Sequence, residues 1–418
     1  MSLANIKRYI VVTLLYIYSF LFIYTPDSYI SINVIHLLAF FAYIAMSMLY
    51  LMGKKILFPM VLKKFFALNL LVLIIGLYIS LQSYDFYYCY KLFIVAFETI
   101  PCLFLIYLIL EKLGFDLKEK LSFIMNLGFL QLIFVIATII FPELRLSIIE
   151  NSQNQDLLKL SNFGDLAIRT FGFSRGYTFA MPMFLGLCIA VALYMKGHFN
   201  TKHWLSIPLF VIAIALNARI GLVILPLLLV LNFLYGSSRF RLGILVISIS
   251  VLSIGLIASE ANIFQYNDNS EFASFSRVYD SFDDLSNLAN GKETGTFNDL
   301  GKMNILPSGY DLLTGTGKDI FFGGNSKYPG INSDIGYVND IFFGGLLFSL
   351  LLTGVYCSCF FISTNDIKLK ILNYSLILFL IIANYKGSIL NSNEFINGYL
   401  LLTLFISETM TRKEKALR

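Results

Sequence analysis

Phe65-Phe66-Ala67-Leu68-Asn69-Leu70-Leu71-Val72-Leu73-Ile74-Ile75-Gly76-Leu77-Tyr78-Ile79-Ser80-Leu81-Gln82 runs for a full segment without a charge, directly behind Lys63-Lys64. At 1.5 Å per residue such a block reaches across a hydrocarbon core of about 30 Å. It is one of many. Outward from it, apolar blocks bounded by charged or turn-rich breaks predict helices near 9–25, 31–52, 65–82, 90–110, 121–141, 176–195, 204–217, 220–236, 243–259, 340–363, 371–385 and 396–408. The 204–217 and 220–236 pair is short and tight enough for a re-entrant hairpin. The bulk composition agrees: 57% of the 418 residues are hydrophobic and only 14% charged, against roughly a quarter charged in soluble domains. Mean hydropathy is +0.75. These values exclude a cytosolic enzyme, a disordered chain and a disulfide scaffold. The expected fold is an all-α polytopic membrane protein of about 12 transmembrane helices, each near 20 residues.

Lys7-Arg8 before the first apolar block resembles a signal-peptide start, but Tyr24-Thr25-Pro26 offers no small-residue cleavage site, so the block reads as a retained helix. Cys102, Cys188, Cys357 and Cys359 sit inside apolar blocks and Cys89 at a segment edge. Neither a disulfide framework nor zinc-ligand spacing emerges. The net charge of +5 says little about nucleic acid, and no nucleic-acid partner is expected. Its distribution sets topology instead. With the N-terminus in the cytosol, the inner segments hold about 19 of the 31 basic residues, whereas the short outer loops hold Lys91, Arg219 and Lys386. Both termini are therefore expected in the cytosol.

The implied organisation is N-terminal transmembrane helices over 1–141, a first outer loop over 142–175, central helices over 176–259, a large outer loop over 260–339, and C-terminal helices with a cytosolic tail over 340–418. A loop of about 80 residues is too long for a bare connector and points to function. Within it, Phe272, Phe275, Tyr279, Phe282 and Leu285 repeat at helical period, predicting an amphipathic surface helix ended by Asn290-Gly291.

Arginines on the outer side carry the chemistry. Guanidinium stays charged and grips phosphate in two prongs. Arg219 lies in the turn Leu216-Asn217-Ala218-Arg219-Ile220-Gly221 between two apolar blocks, where a charge is costly and marks a candidate site. Arg169 and Arg175 flank the glycines of Arg169-Thr170-Phe171-Gly172-Phe173-Ser174-Arg175-Gly176-Tyr177, which allow close backbone approach to a ligand. Arg277 stands beside Asp280 and Asp284, and Arg145 reads as a solvated charge. Glu98 lies about 12 Å into the fourth block, with Pro101 after it. It is expected to pair with an arginine, to act in catalysis, or to be protonated. His36 falls within the second helix, and His198 and His203 on the cytosolic side, so an outer histidine base is not expected. No metal cluster and no cofactor are expected. Gly315-Thr316-Gly317-Lys318 fails the nucleotide-loop pattern, because Leu312 and Asp319 stand at required Gly and Ser/Thr positions. A glycine turn binding an anion or sugar through backbone donors is the remaining reading.

With these residues in view, the chain resembles the bacterial O-antigen polymerase (Wzy) family and, more distantly, the O-antigen ligases. The resemblance rests on Arg169-x-x-Gly172, Asn217-Ala218-Arg219-Ile220-Gly221 and Phe275-Ser276-Arg277. It rests also on Leu313-Thr314-Gly315-Thr316-Gly317, Ser333-Asp334-Ile335-Gly336-Tyr337 and Gly344-Gly345-Leu346. In the ligases a histidine stands roughly where Asp334 does, so its absence favours a polymerase. The resemblance implies a GT-C-like, metal-independent membrane glycosyltransferase of the inner membrane, with its large loop in the periplasm. Its donor and acceptor would be undecaprenyl-diphosphate-linked glycans, and its product O-antigen or capsular polysaccharide. Membrane lipids and a chain-length regulator protein are the implied partners. Arg219 and Arg277 would stabilise the leaving diphosphate, and Asp334 or Glu98 would position or deprotonate the acceptor hydroxyl. Arg169, Arg175, Tyr177, Glu98, Lys318 and Tyr337 would contact substrate. Gly344-Gly345 is expected to let helices pack closely and draw the Ser333–Tyr337 turn over the bundle mouth. The bland alternative for Asp334 is a helix cap. An O-antigen ligase and a lipid-linked oligosaccharide flippase are the alternative functions.

Overall fold

A computed structural model describes residues 3–26, 33–54, 57–150, 172–174, 179–235, 301–320, 331, 333–361 and 364–417. Among them, every regular element is helical. In chain order these are α1 (Leu3–Tyr24), α2 (Val34–Leu51), α3 (Met60–Ser83) and α4 (Tyr87–Ile94). A π-helical turn (Val95–Thr99) joins α4 to α5 (Ile100–Lys112). There follow α6 (Leu117–Ile140), α7 (Pro142–Glu150), α8 (Ala180–Phe199), α9 (Ile207–Ala215), α10 (Ile224–Tyr235), α11 (Asp311–Thr314), α12 (Gly336–Phe360), α13 (Ile367–Lys386) and α14 (Glu394–Leu417). Among the described residues, eight stretches are long and apolar enough to cross a membrane, and His203–Ala215 and Ile220–Leu234 are shorter apolar helices. The chain is a polytopic membrane protein. The segment expected at 243–259 and the surface helix expected at 272–289 lie outside the described residues.

The chain divides into two compact units. The first comprises Met1–Val34, Leu113–Thr294 and Thr364–Leu376. Its centre is α8, whose residues from Ala180 to Met195 are all buried. A helix apolar on every face belongs inside a bundle. Two glycines let the neighbouring turn approach it: a Cβ at Gly186 would stand 2.6 Å from the Gly221 carbonyl oxygen, and one at Gly221 would overlap that of Pro182. Asn126 donates to the Tyr16 hydroxyl at 2.8 Å, and Tyr24 donates to the Leu127 carbonyl at 3.2 Å, tying α1 to α6. The start of α6 is written locally. Asp116 accepts from the Glu119 amide at 2.7 Å while Glu119 accepts from the Asp116 amide at 2.8 Å, a closed capping box.

The second unit comprises Ile35–Lys112, Gly295–Ser363 and Ile377–Arg418. Its spine is the continuous run Tyr87–Lys112, interrupted by the π-helical turn. Pro101 accounts for part of this irregularity. It has no N–H to offer the Phe97 carbonyl four residues back, and the Tyr43 hydroxyl donates there instead at 2.7 Å. The α12 helix is broken as well: Gly345 has φ 77 and ψ 177, a region open in practice to glycine alone.

Candidate functional site

The break in α12 is where the end of the large loop enters the helix bundle. Gly345 lies roughly 13 Å along α12 from its start at Gly336. Leaving helical geometry there frees carbonyls in the preceding turn, and these must find donors in a setting with little water. The loop after α11 supplies them. The Thr316 amide donates to the Phe342 carbonyl at 2.7 Å and the Gly317 amide to the Phe343 carbonyl at 2.9 Å. The Thr316 hydroxyl adds a second donation to Phe342 at 2.9 Å. Ser83, at the end of α3, donates to the Gly317 carbonyl at 2.7 Å. A Cβ at Gly345 would overlap the Leu313 carbonyl, and one at Gly315 the Phe343 carbonyl. So Gly345 admits the end of the short helix α11 and Gly315 the carbonyl of Phe343, while a Cβ at Gly344 would meet Phe348 of its own helix. The Thr316 and Gly317 amides of the glycine turn face the broken helix, the Gly315 amide donates to the Asp311 carbonyl, and the Lys318 amide to the Thr316 hydroxyl. This corrects the reading of that turn as an anion cradle.

A buried polar cluster surrounds the docked loop. Lys91 and Asp319 form an ion pair at 3.0 Å, with side chains 18% and 7% exposed. Lys91 also sits over the Tyr87 ring, 4.3 Å from its centroid. The Asp319 amide reaches the Asp85 carboxylate at 3.4 Å. One helical step away, Tyr88 donates to Asp340 at 2.5 Å and Asn384 donates to the other Asp340 oxygen at 3.2 Å. Tyr88 stacks on Phe343 at 4.3 Å, so the phenol and the broken turn are held together. Asp340 is fully buried. A carboxylate there requires such partners, because transfer out of water unpaired costs far more than a hydrogen bond returns.

On another face of the same helix, His36 Nδ1 lies 2.7 Å from Glu98 and Nε2 lies 2.9 Å from the Tyr90 hydroxyl. Glu98 belongs to the π-helical turn Val95–Thr99. Such turns re-aim one side chain relative to an α-helix and occur often at functional sites. His36 stands in the first turn of α2. This corrects the expected partner of Glu98, a histidine in place of an arginine. Under the expected orientation it also places His36 at the outer end of its helix, against the reading that no histidine is available there.

The remaining candidates fall as follows. Asp334 is exposed and precedes Ile335, the residue at the cap position of α12. The side-chain contact to that turn comes from Ser333, which accepts from the Ile335 amide at 3.1 Å, so the capping alternative for Asp334 does not hold. The Tyr337 hydroxyl donates to the Ile381 carbonyl at 2.6 Å. Lys318 is half-buried beside Asp319. In the first unit, Arg219 opens a 3-10 turn, Arg219–Val223, between α9 and α10. His203–Ala215 is about 20 Å long, shorter than the eight long helices. Gly172, with φ 60, approaches α6: a Cβ there would stand 2.8 Å from Gln131 and 3.1 Å from the Val135 amide nitrogen. Its neighbour at close range is α6. Arg145 is buried in α7, not solvated, and burial pushes its guanidinium below the ordinary value. Arg169, Arg175, Tyr177 and Arg277 lie outside the described residues. Among the described residues no group of three His, Cys, Asp or Glu side chains has the spacing to hold a metal.

No family model, curated protein or solved structure matches this chain.

Proposed function

We propose that this protein polymerises undecaprenyl-diphosphate-linked oligosaccharide repeat units at the outer face of the inner membrane, with twelve spans and both termini in the cytosol. The observation that carries the reading is the end of the long outer loop held by its backbone inside a broken membrane helix, beside the Lys91–Asp319 pair. Irregular backbone at membrane depth is costly unless it is enclosed in protein or lines a watered site. A lipid-linked sugar needs a polar site of that kind at the membrane surface, because its isoprenoid stays among the helices while its sugar remains in water.

In this reading Arg219 and Arg277 hold the diphosphate of the donor and stabilise charge as it leaves. The acceptor sugar hydroxyl attacks the donor anomeric carbon. Asp334, which is exposed ahead of α12, orients the acceptor hydroxyl. Arg169, Arg175, Tyr177, Lys318 and Tyr337 are the further substrate contacts, and a chain-length regulator is the proposed protein partner.

One observation favours a second reading. Broken helices with buried polar groups are also how secondary transporters hold substrates, so a lipid-linked oligosaccharide flippase is the alternative. A ligase differs from a polymerase only in its acceptor. Surface-polysaccharide banding in a deletion strain separates them: loss of a polymerase leaves a single repeat unit attached, loss of a ligase leaves none, and loss of a flippase blocks display at an earlier stage.

A further inference from the structure

We propose that one end of the first unit, where α8 stops and α6 and α13 start, is a binding site for an anionic diacyl phospholipid. Lys196 and Lys202 hold its phosphate, and an exposed stripe of His203–Ala215 carries an acyl chain. The inference goes beyond the polymerase reading and stands or falls apart from it. Contacts at this end gather cations from several elements. Lys196, in the last turn of α8, places its ammonium 5.2 Å from the centroid of the Trp204 ring. His203, next to Trp204, has Nε2 3.3 Å from the Ser122 hydroxyl of α6, and Lys118 stands one helical turn before Ser122. Lys368, at the start of α13, donates to the Gly197 carbonyl, and His198 Nδ1 lies 3.4 Å from Asp366. Lys118, Lys196, Lys202 and Lys368 are all exposed.

The acids on these elements do not balance those lysines. α8, His203–Ala215 and α13 contain no Asp or Glu. Asp116 and Glu119 are closed in the capping box of α6. Asp366 faces His198 and accepts from the Lys368 amide at 2.9 Å. Clustered lysines at the ends of membrane helices attract anionic headgroups, by about fivefold in affinity for each lysine near the surface. The apolar part of the site adjoins them. Leu205, Leu209 and Ile212 are 58%, 51% and 48% exposed. Their spacing of four and three residues puts them on one stripe of the helix, which begins one residue after Trp204. In a membrane protein such a stripe faces acyl chains. Trp204 is half-buried between the two parts, and indole, apolar in body with one N–H, suits the headgroup level of a bilayer. Ammonium, indole and apolar stripe follow the order of phosphate, glycerol and acyl chain in a phospholipid. A zwitterionic headgroup would bring its own cation against the lysines, so the charge selects an anionic lipid.

Trp204 is the sole tryptophan of the chain, so the unaltered protein reports on this site directly. The test titrates the full-length protein in detergent with phosphatidylglycerol or phosphatidylcholine brominated in the acyl chains, and follows quenching of the indole fluorescence. Half-quenching is expected at a concentration at least fivefold lower for phosphatidylglycerol. Coincident curves for the two lipids would overturn the proposal. Displacement of the brominated phosphatidylglycerol by millimolar inorganic phosphate at constant ionic strength would assign the lysines to a soluble anion and would also overturn it. Lys196→Gln/Lys202→Gln is expected to abolish the headgroup preference. Lys54→Gln/Lys63→Gln, an equal loss of exposed charge in the second unit, is expected to preserve it. Equal loss of preference in both double variants would reduce the effect to overall positive charge and refute the site. The readout is binding alone, so absence of chain extension would bear on the polymerase reading and leave this one intact.

Discussion

The Gly317 amide donates to the carbonyl of Phe343 at 2.9 Å, joining the loop after α11 to a helix turn two positions before the Gly345 break. Loop and break are therefore one feature. The loop supplies donors that the broken helix lacks, and the break gives the loop a fixed seat at membrane depth.

Replacing Gly345 by Ala tests that coupling. Its φ of 77 disfavours any side chain, and a Cβ would meet the Leu313 backbone rather than a movable side chain. The backbone term alone costs on the order of 1–3 kcal/mol. We expect a lower melting temperature in detergent and greater maleimide labelling of a cysteine placed at Thr314. Unchanged stability and labelling would show that the loop is not seated on the break.

Tyr88 and Asp340 should be energetically coupled. Removing the phenol in Tyr88→Phe strips a buried carboxylate of one donor, at a cost of about 1–3 kcal/mol. The double variant Tyr88→Phe/Asp340→Asn should cost less than the sum of the singles by at least 0.5 kcal/mol, on the order expected for contacting residues. Additive losses would mean the two side chains act independently.

Asn69 is buried in α3, and neither amide atom has a hydrogen-bond partner among the described residues. An amide in this state is a stability cost of roughly 1–3 kcal/mol. Asn69→Leu is expected to raise the melting temperature in detergent with chain extension unaltered. A lower melting temperature would mean that the amide contributes favourably in the folded protein.

Arg219→Ala and Arg277→Ala should abolish chain extension with membrane levels near normal, and lysine should restore little, because a point charge cannot reproduce a two-pronged phosphate contact. Long chains persisting in both alanine variants would remove the diphosphate clamp from the mechanism. The outward placement proposed for the loop that holds Arg277 is checked separately: a reporter fused at residue 300 should be active only for a periplasmic marker.

The helices were legible because the information lies within each segment. An uncharged run such as Phe65–Gln82 can satisfy its backbone in a membrane only as a helix, and Asp116 with Glu119 marks a helix start three residues apart. The site was legible only in fragments. Pro101 signals a disturbed helix beside Glu98, yet its consequence, a π-helical turn with a carbonyl served by Tyr43, needs a third residue 54 positions away from Phe97. His36 and Glu98 are separated by 62 positions, and no local pattern joins them. Gly344-Gly345 reads as a packing pair because glycine's small size and its freedom at positive φ look the same in a sequence. Arg145 reads as a surface charge because its burial is created by tertiary packing.

The most direct measurement places purified protein in lipid nanodiscs with a synthetic undecaprenyl-diphosphate-linked repeat unit, and follows glycan length and undecaprenyl diphosphate release. A ladder rising by one repeat unit per step is expected, with one undecaprenyl diphosphate released per bond formed. A folded protein that leaves the repeat unit at its original length, with no diphosphate released, would contradict it.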